Sequence, residues 1–299
     1  MFIFEKLFEM KKKIFISIAV LLLAGLVFAS PAKGQTGWRI GYIRQVYDPA
    51  PKVQGYRTQP DRVLDVFGDK AIFYSEKAFQ RDSLSAIAFD ENGNIADDKA
   101  YGELLDIHGC GGDFTRIDLG SAKLYQYYYP VPCIFIGESP LAAPKWEITA
   151  EIKNIREHPC KKAKASFMGR EWEAWFTEDI SINFGPWLLW GLPGLVIEAR
   201  DSKDEVRFKY HYIEPLGDNS RSNFLDNYWR TFKCRHRFVG SLKECEQLYT
   251  KFQTDKEFQN KMTGTIMEWA VDSKTGEPVD LGGRYQYLPI IPQNYWNEE

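Results

Sequence analysis

Apolar and polar residues alternate one by one over several stretches of the chain, and this pattern restricts the fold more than any other feature. It runs over residues 145–152, 172–176 and 206–212. A period of two residues predicts strands with one buried and one solvated face, which favours antiparallel pairing. We therefore predict a mainly β fold of the α+β type, built as a curved antiparallel sheet or open half-barrel. In the first stretch the expected buried face consists of Trp146, Ile148, Ala150 and Ile152.

Turn residues separate further strands in the first half of the chain. A hairpin is predicted for residues 62–67 and 71–74, on either side of a Gly-Asp turn. Two more strands are predicted at 114–119 and 123–129. Residues 95–107 carry a weaker pattern that predicts a short helix.

A helical region interrupts the strands near the carboxyl terminus. Apolar residues recur at helical spacing from about 220 to 262. Ser241 and Glu244 stand three residues apart, as in a capping box, where two side chains satisfy the first free amides of a helix. We predict a helical hairpin at about 220–262 that covers one side of the sheet.

The amino-terminal segment has the layout of a secretory signal. Three lysines precede an apolar run at Ile14–Ala29, which is shorter than the ~20 residues of a membrane span. We predict a signal peptide over residues 1–35, with Met10 as an alternative start, and a single β-rich domain over 36–299. An uncleaved anchor is the alternative. The mature protein is expected to be exported, in the periplasm or associated with the outer membrane, without a stable membrane span.

Charge argues against nucleic acid as a partner. The chain has 38 basic and 41 acidic residues. The predicted signal peptide holds five lysines and two glutamates, so its removal leaves 33 basic and 39 acidic residues, a net charge near −6. No basic stripe follows the chain, and neutralising a phosphate backbone requires one.

The stretch Gly185–Gly194, called the motif loop below, combines turn residues with large aromatics. Glycine and proline turns stand at both of its ends, and two leucines lie between Trp187 and Trp190. A loop this apolar is expected to fold onto the core or over its mouth. Packing explains both tryptophans, but they also qualify as possible ligand-facing residues, because binding sites are concave and rich in aromatics.

Four spaced motifs, in this order, resemble the GLPGLI family of Bacteroidota. The matching positions are Cys160, Gly169, Arg170, Ala174, Trp175, Gly185, Pro186, Gly191, Leu192, Pro193 and Gly194. The resemblance covers roughly residues 145–215, and Val196 stands where the family usually has isoleucine. It implies an exported cell-envelope protein with an antiparallel β-rich fold and no established activity. The helical hairpin lies outside this pattern.

Five cysteines would meet an oxidising compartment in an exported protein. Cys234 and Cys245 flank the turn of the predicted helical hairpin, and a bridge there would close it. Cys110 and Cys133 both lie beside loops and form the second candidate pair. Cys160 is then left over, and we expect it to be a buried thiol.

Metal binding and cofactor binding are not predicted. His108 and Cys110 form one two-ligand cluster, and Cys234 and His236 form another. Disulfides compete for the same sulfurs, and neither cluster has a second ligand pair at a recognisable spacing. The sequence therefore predicts no metal and no cofactor.

Catalytic residues are not predicted either. The chain lacks a nucleophile elbow and a zinc-protease helix motif. Glu173, Glu178 and Asp179 lie near the aromatics, as a glycosidase pair would. The charged side of an amphipathic strand and its turn explains them equally well.

These observations favour a non-enzymatic protein of the cell envelope that binds an apolar small molecule or an envelope protein. The alternatives are a structural or assembly factor that acts through protein contacts only, and a hydrolase of unrecognised type. A large cavity beneath the motif loop would favour a carrier. A filled core with an exposed aromatic or edge-strand patch would favour an interaction protein, and a cleft with paired carboxylates would favour an enzyme.

Overall fold

The structure, a computed structural model, describes residues 37–49, 54–90, 94–107, 113–128, 133–217, 236–263 and 290. Twelve strands of these ranges form one sheet, in the order β12-β6-β5-β4-β3-β2-β1-β11-β10-β9-β8-β7. Neighbours are antiparallel except β12 and β6, which are parallel. The strands are β1 (Trp38–Asp48), β2 (Gly55–Phe67), β3 (Lys70–Ser75), β4 (Asp113–Asp118), β5 (Lys123–Tyr128), β6 (Cys133–Pro140), β7 (Glu147–Ile155), β8 (His158–Phe167), β9 (Arg170–Thr177), β10 (Leu195–Asp201), β11 (Val206–Pro215) and β12 (His236–Ser241).

The connection from β6 to β7 requires the sheet to curl. β6 is second in the strand order and β7 is last, so ten strand spacings separate them, about 48 Å in a flat sheet. The connecting residues Leu141–Trp146 reach at most about 25 Å when fully extended. The sheet is accordingly curved and remains open. This confirms the predicted mainly β fold with a curved, largely antiparallel sheet.

The concave face of the sheet holds the main core. Alternate residues of neighbouring strands point into it, and the motif loop closes over them. Its fully buried members include Ile40, Tyr42, Leu64, Phe73, Ile117, Leu124, Trp172, Ala174, Phe176, Val206 and Phe208. Burying each large apolar side chain contributes about 1.5–3 kcal/mol. The predicted buried faces of residues 172–176 and 206–208 are therefore confirmed, whereas Tyr212, predicted on the same face, is 37% exposed.

Helices cover parts of both sheet faces. On the convex side α1 (Glu76–Ala88) packs against β2 and β3, with Phe79 on a second apolar cluster, and α2 (Asp98–Leu105) packs against α1. The short helix predicted at 95–107 is α2. The helix α1 was not predicted. Among the helices of the described ranges, none has both the length and the apolar character to span a bilayer.

The carboxyl-terminal helices α3 (Leu242–Thr254) and α4 (Lys256–Thr263) follow β12. The Ser241 hydroxyl accepts the Glu244 N–H and the Glu244 carboxylate accepts the Ser241 N–H, so the predicted capping box is confirmed. The helix α3 packs on β6. The first half of the predicted helical hairpin, before residue 236, lies outside the described residues. The prediction is wrong at His236–Ser241, which forms the strand β12 beside β6.

The predicted burial of one face of β7 is wrong. Ile148 and Ile152 are 48% and 68% exposed. Their strand is the last of the sheet, and its pairing with β8 shifts between these two residues. An edge strand has a neighbour on one side only, so alternation that would bury an interior strand leaves these side chains in solvent.

Candidate functional site

The motif loop is held by its own backbone and by the strands around it. The Gly191 N–H donates to the Asn183 carbonyl at 2.8 Å, and the Leu189 N–H donates to the Pro186 carbonyl at 3.1 Å. The loop ends where β10 begins. The shape of the loop is therefore set by backbone hydrogen bonds that do not belong to the sheet.

Three glycines of the motif loop are required by this shape. A Cβ atom at Gly185 would lie 2.2 Å from the Leu189 carbonyl oxygen, and one at Gly194 would lie 2.0 Å from the Thr177 carbonyl oxygen. Gly191 has a φ of +91°, which residues with a side chain rarely adopt. The loop glycines thus have a structural explanation in backbone contact and conformation.

Trp187 lies in the core, with 2% of its surface exposed. Its indole N–H donates to Gln126 Oε1 at 3.2 Å, and its carbonyl accepts from Thr115 Oγ1 at 3.1 Å. The ring packs 5.7 Å from that of Trp172. Its φ of +56° is unusual for a bulky residue, and these contacts hold it there.

The second motif tryptophan, Trp190, is half-buried at the rim of the loop. Its indole N–H donates to the Ala142 carbonyl at 3.1 Å, and its own carbonyl accepts the Trp146 indole N–H at 2.8 Å. The space under the loop is filled by residues that are 0–1% exposed: Leu188, Leu189 and Leu192. The motif loop is therefore a packed cover of the core.

The motif residue Arg170 joins β9 to the turn between β10 and β11. Its guanidinium lies 2.7 Å from Asp201 and 2.7 Å from Glu205, and it also donates to the Ile290 carbonyl. The second Asp201 oxygen accepts the Val206 N–H at 2.8 Å. Since the Arg170 and Asp201 side chains are 7% and 2% exposed, this is a buried structural ion pair.

A shallow groove of about 370 Å³ lies on the convex face around Trp175. The Lys153 ammonium lies 4.3 Å from the centre of the Trp175 ring. Glu173 lies 3.2 Å from both Lys162 and Arg200. Although burial opposes it, these hydrogen bonds hold the pKa of Glu173 below its usual range. Glycosidases need one carboxyl with a raised pKa, which Glu173 does not provide.

The other acidic residues that were weighed as catalytic candidates are on the surface. Glu178 pairs with Lys161 at 2.8 Å, and both side chains are more than 40% exposed. Asp179 is exposed as well. The structure does not assemble these residues into a cleft with paired carboxylates.

A buried polar cluster that the sequence did not predict lies on the concave face. Arg44 and Arg62 each approach Asp113 to 2.7 Å, and both donate to Gln59. Burial opposes ionisation of Asp113, but the two arginines hold its pKa far below its usual range. Residues 108–112, which precede Asp113, lie outside the described ranges. Two arginines thus share one carboxylate, and the cluster joins β1, β2 and β4.

Cys133, Cys160 and Cys245 are all buried. Burial raises the pKa of the Cys160 and Cys245 thiols, so neither is an activated nucleophile. No disulfide joins two described cysteines. Cys110 and Cys234 lie outside the described residues, so the two predicted bridges remain predictions. Within the described ranges, no three His, Cys, Asp or Glu side chains come together as a metal site requires.

The open side of β7, called the β7 edge below, is the most exposed apolar feature near the motif loop. β7 pairs with β8 on one side, and no described strand lies on its other side. Ile148 and Ile152 pair with Ala163 and Lys161, two residues apart on β8, so both isoleucines share one face. Within the part of the chain that the structure describes, the β7 edge therefore combines unpaired backbone groups with two exposed isoleucines.

Comparisons with known proteins give a short family match and several distant solved structures, including two of PNGF-II. A family described as "Protein of unknown function (Porph_ging)" matches residues 167–198, which include Arg170 and the motif loop. The structure of PNGF-II in the C2 space group is similar with 14% identity and a TM-score of 0.46, and that in the P21 space group with 15% and 0.42. The two similarities cover 73% and 66% of this chain, respectively. They cover only 33% and 34% of the PNGF-II chains, so this chain spans about a third of their length. No curated protein matches the chain.

Proposed function

We propose that this protein is a non-catalytic interaction protein that binds another protein along the β7 edge. The observation that carries the proposal is the contrast between two regions. The core under the motif loop is filled, whereas Ile148 and Ile152 on the edge strand are 48% and 68% exposed. Unpaired strand edges accept a further strand through main-chain hydrogen bonds, and neighbouring side chains give specificity.

The packing beneath the motif loop supports this function over that of a carrier for an apolar small molecule. Leu188 and Leu189 are fully buried where a carrier would hold its ligand. A hydrolase is disfavoured because Glu173 and Glu178 are engaged by lysines. An assembly factor that acts only through protein contacts would use the same edge, and it is a special case of this function.

We also infer that the protein is an exported envelope protein of the GLPGLI type. The family match over residues 167–198 overlaps the motif positions Gly169, Arg170 and Gly194. Amino-terminal sequencing of the protein from fractionated cells tests the export. The mature protein is expected in the envelope fraction, starting after Ala29, Ala32 or Gly34. An intact chain in the cytosol would contradict it.

Site-specific photo-crosslinking in cells that make the protein tests the binding function. A photoreactive residue at Ile152 is expected to form a covalent adduct with a polypeptide. The same residue at Ile87, 57% exposed on α1, is the matched control and is expected to form none. Equal labelling at both positions, or no adduct at Ile152, would overturn the function.

Native mass spectrometry of the purified protein tests the alternative. A stoichiometric apolar small molecule that remains bound would overturn the proposal in favour of a carrier. A mass equal to the polypeptide alone, or to a protein complex, agrees with it.

A further inference from the structure

We propose that the protein bound at the β7 edge is a second copy of this chain, paired antiparallel through β7 about a two-fold axis at Ala150. This inference rests on the proposed function and names its partner. It follows from the order of side chains along residues 147–153 and from the faces that they occupy.

The faces are set by the pairing of β7 with β8. Ile148 and Ile152 share one face. Glu147 and Lys153 pair with Lys164 and Cys160, four residues apart on β8, so these two share the opposite face. A two-fold axis perpendicular to the sheet keeps the faces of both copies on the same sides. Apolar side chains would therefore meet apolar ones, and charged side chains would meet charged ones.

With the axis at Ala150, isoleucines meet isoleucines, the outer charges meet opposite charges, and Glu151 lies opposite the uncharged Thr149. Ile148 lies opposite Ile152 of the second copy, and Glu147 lies opposite its Lys153. Both contacts occur twice by symmetry. Cross-strand pairs of apolar residues and of opposite charges each stabilise an antiparallel pair.

Charge excludes the neighbouring registers. Moving the axis to Thr149 places Glu147 opposite Glu151 of the second copy. Moving it to Glu151 places that residue opposite itself. Like charges directly opposite each other destabilise a strand pair. The charges along β7 thus select one of these three registers.

Lys153 would have to turn to meet the second copy. Its ammonium lies 4.3 Å from the centre of the Trp175 ring and 3.1 Å from Glu198 Oε2, both inward of β7, and its side chain is 41% exposed. Pairing with Glu147 of the second copy therefore exchanges the Glu198 contact for one across the edge.

Charge exchange tests the register. Analytical ultracentrifugation of the purified protein over a dilution series is expected to show a reversible monomer–dimer equilibrium. E147K and K153E each place like charges at both contacts, and each is expected to raise the dimer dissociation constant about tenfold or more. E103K makes the same charge change on α2 and is expected to leave the constant unchanged.

Mixing the two charge variants gives the decisive result. E147K has lysine at both positions and K153E has glutamate at both, so a heterodimer of the two restores opposite charges at each contact. We expect the mixture to dimerise with nearly the wild-type constant, although neither variant pairs well with itself. Circular dichroism of each variant verifies that it is folded.

The possible failures are distinguishable. A monomeric wild-type protein that still crosslinks from Ile152 to a different polypeptide would overturn self-pairing and leave the proposed function intact. A dimer whose constant is insensitive to E147K and K153E would overturn the β7 register. Hydrogen exchange that is slow along β7 in a monomer would show the edge covered by this chain itself, which would overturn both proposals.

Discussion

The Trp146 indole N–H donates to the Trp190 carbonyl at 2.8 Å, and the Trp190 indole N–H donates in return to the Ala142 carbonyl at 3.1 Å. Two hydrogen bonds thus fasten the segment before β7 to the rim of the motif loop. The edge strand β7 and the motif loop are consequently connected directly. Damage to the loop is expected to disturb the start of β7 as well.

Replacing Gly194 by alanine is expected to destabilise the fold by at least about 2 kcal/mol, because the new Cβ would lie 2.0 Å from the Thr177 carbonyl oxygen. Gly102 in α2 is the matched control. Nothing lies within 4 Å of a Cβ placed there, so G102A is expected to stabilise by about 0.5–1 kcal/mol. Urea denaturation measures both values. Equal stabilities of G194A and wild type would contradict the packing described for the loop.

Truncating the two motif tryptophans is expected to give unequal effects. Trp187→Ala removes a core side chain that is 2% exposed, at a cost of about 3–5 kcal/mol. Trp190→Ala is expected to cost less, since its ring is only half-buried. The free energy of unfolding of each variant checks this order. If W190A were the more damaging change, the loop rim and not the loop centre would carry the packing.

Breaking the Arg170–Asp201 pair is expected to be costly. Arg170→Met leaves the Asp201 carboxylate, 2% exposed, without its main cation, at a cost of about 3–5 kcal/mol. Arg200→Met removes a pair with Glu173 in which the arginine is 57% exposed, so its cost is expected to stay below about 1 kcal/mol. Thermal and urea unfolding of the two variants measure the difference. Similar losses would show that burial does not govern these ion pairs.

Asp82 predicts a pH dependence of stability. Burial raises the pKa of Asp82 to about 6, an effect that the neighbouring Arg81 only partly opposes. The folded state then holds a proton that the unfolded chain, with a pKa near 3.9, releases earlier. Between about pH 4 and pH 6 the folded protein binds more protons, so its stability falls as the pH rises through this window.

The variant D82N removes this titration. Relative to D82N, the wild-type protein is expected to lose roughly 1–3 kcal/mol of unfolding free energy between about pH 4 and pH 6.5. Urea denaturation of both proteins at a series of pH values gives the difference directly. A difference that stays constant across the series would rule out a raised Asp82 pKa.

Local chemistry made much of the fold predictable. The strand alternation around Trp172 and Phe208 predicts their burial, and the Ser241–Glu244 capping box predicts the start of α3. Both signals are complete within a few residues. They do not depend on which strands become neighbours.

Position in the sheet was not predictable from the same signals. The alternation at Ile148 is as regular as that at Trp172, yet β7 lies at the edge, and only the strand order decides that. The helix α1 was missed because its apolar residues form no clear stripe at helical spacing, and only Ala78 and Ala88 among them are buried. The Arg44–Asp113 contact joins residues 69 positions apart, so no local pattern marks it.

The strand order also has a consequence for folding. Each of β1 to β5 pairs with the next strand along the chain, and so does each of β7 to β10. The pairing of β1 with β11, in contrast, joins Val46 to Val206, 160 positions later. Local pairings form quickly, and contacts across so long a loop form slowly. Each half of the sheet can thus assemble while the seam between them is still open. Until β1 pairs with β11, the nascent protein exposes two additional unpaired strand edges. We therefore expect its aggregation during synthesis to depend on how fast this pairing forms.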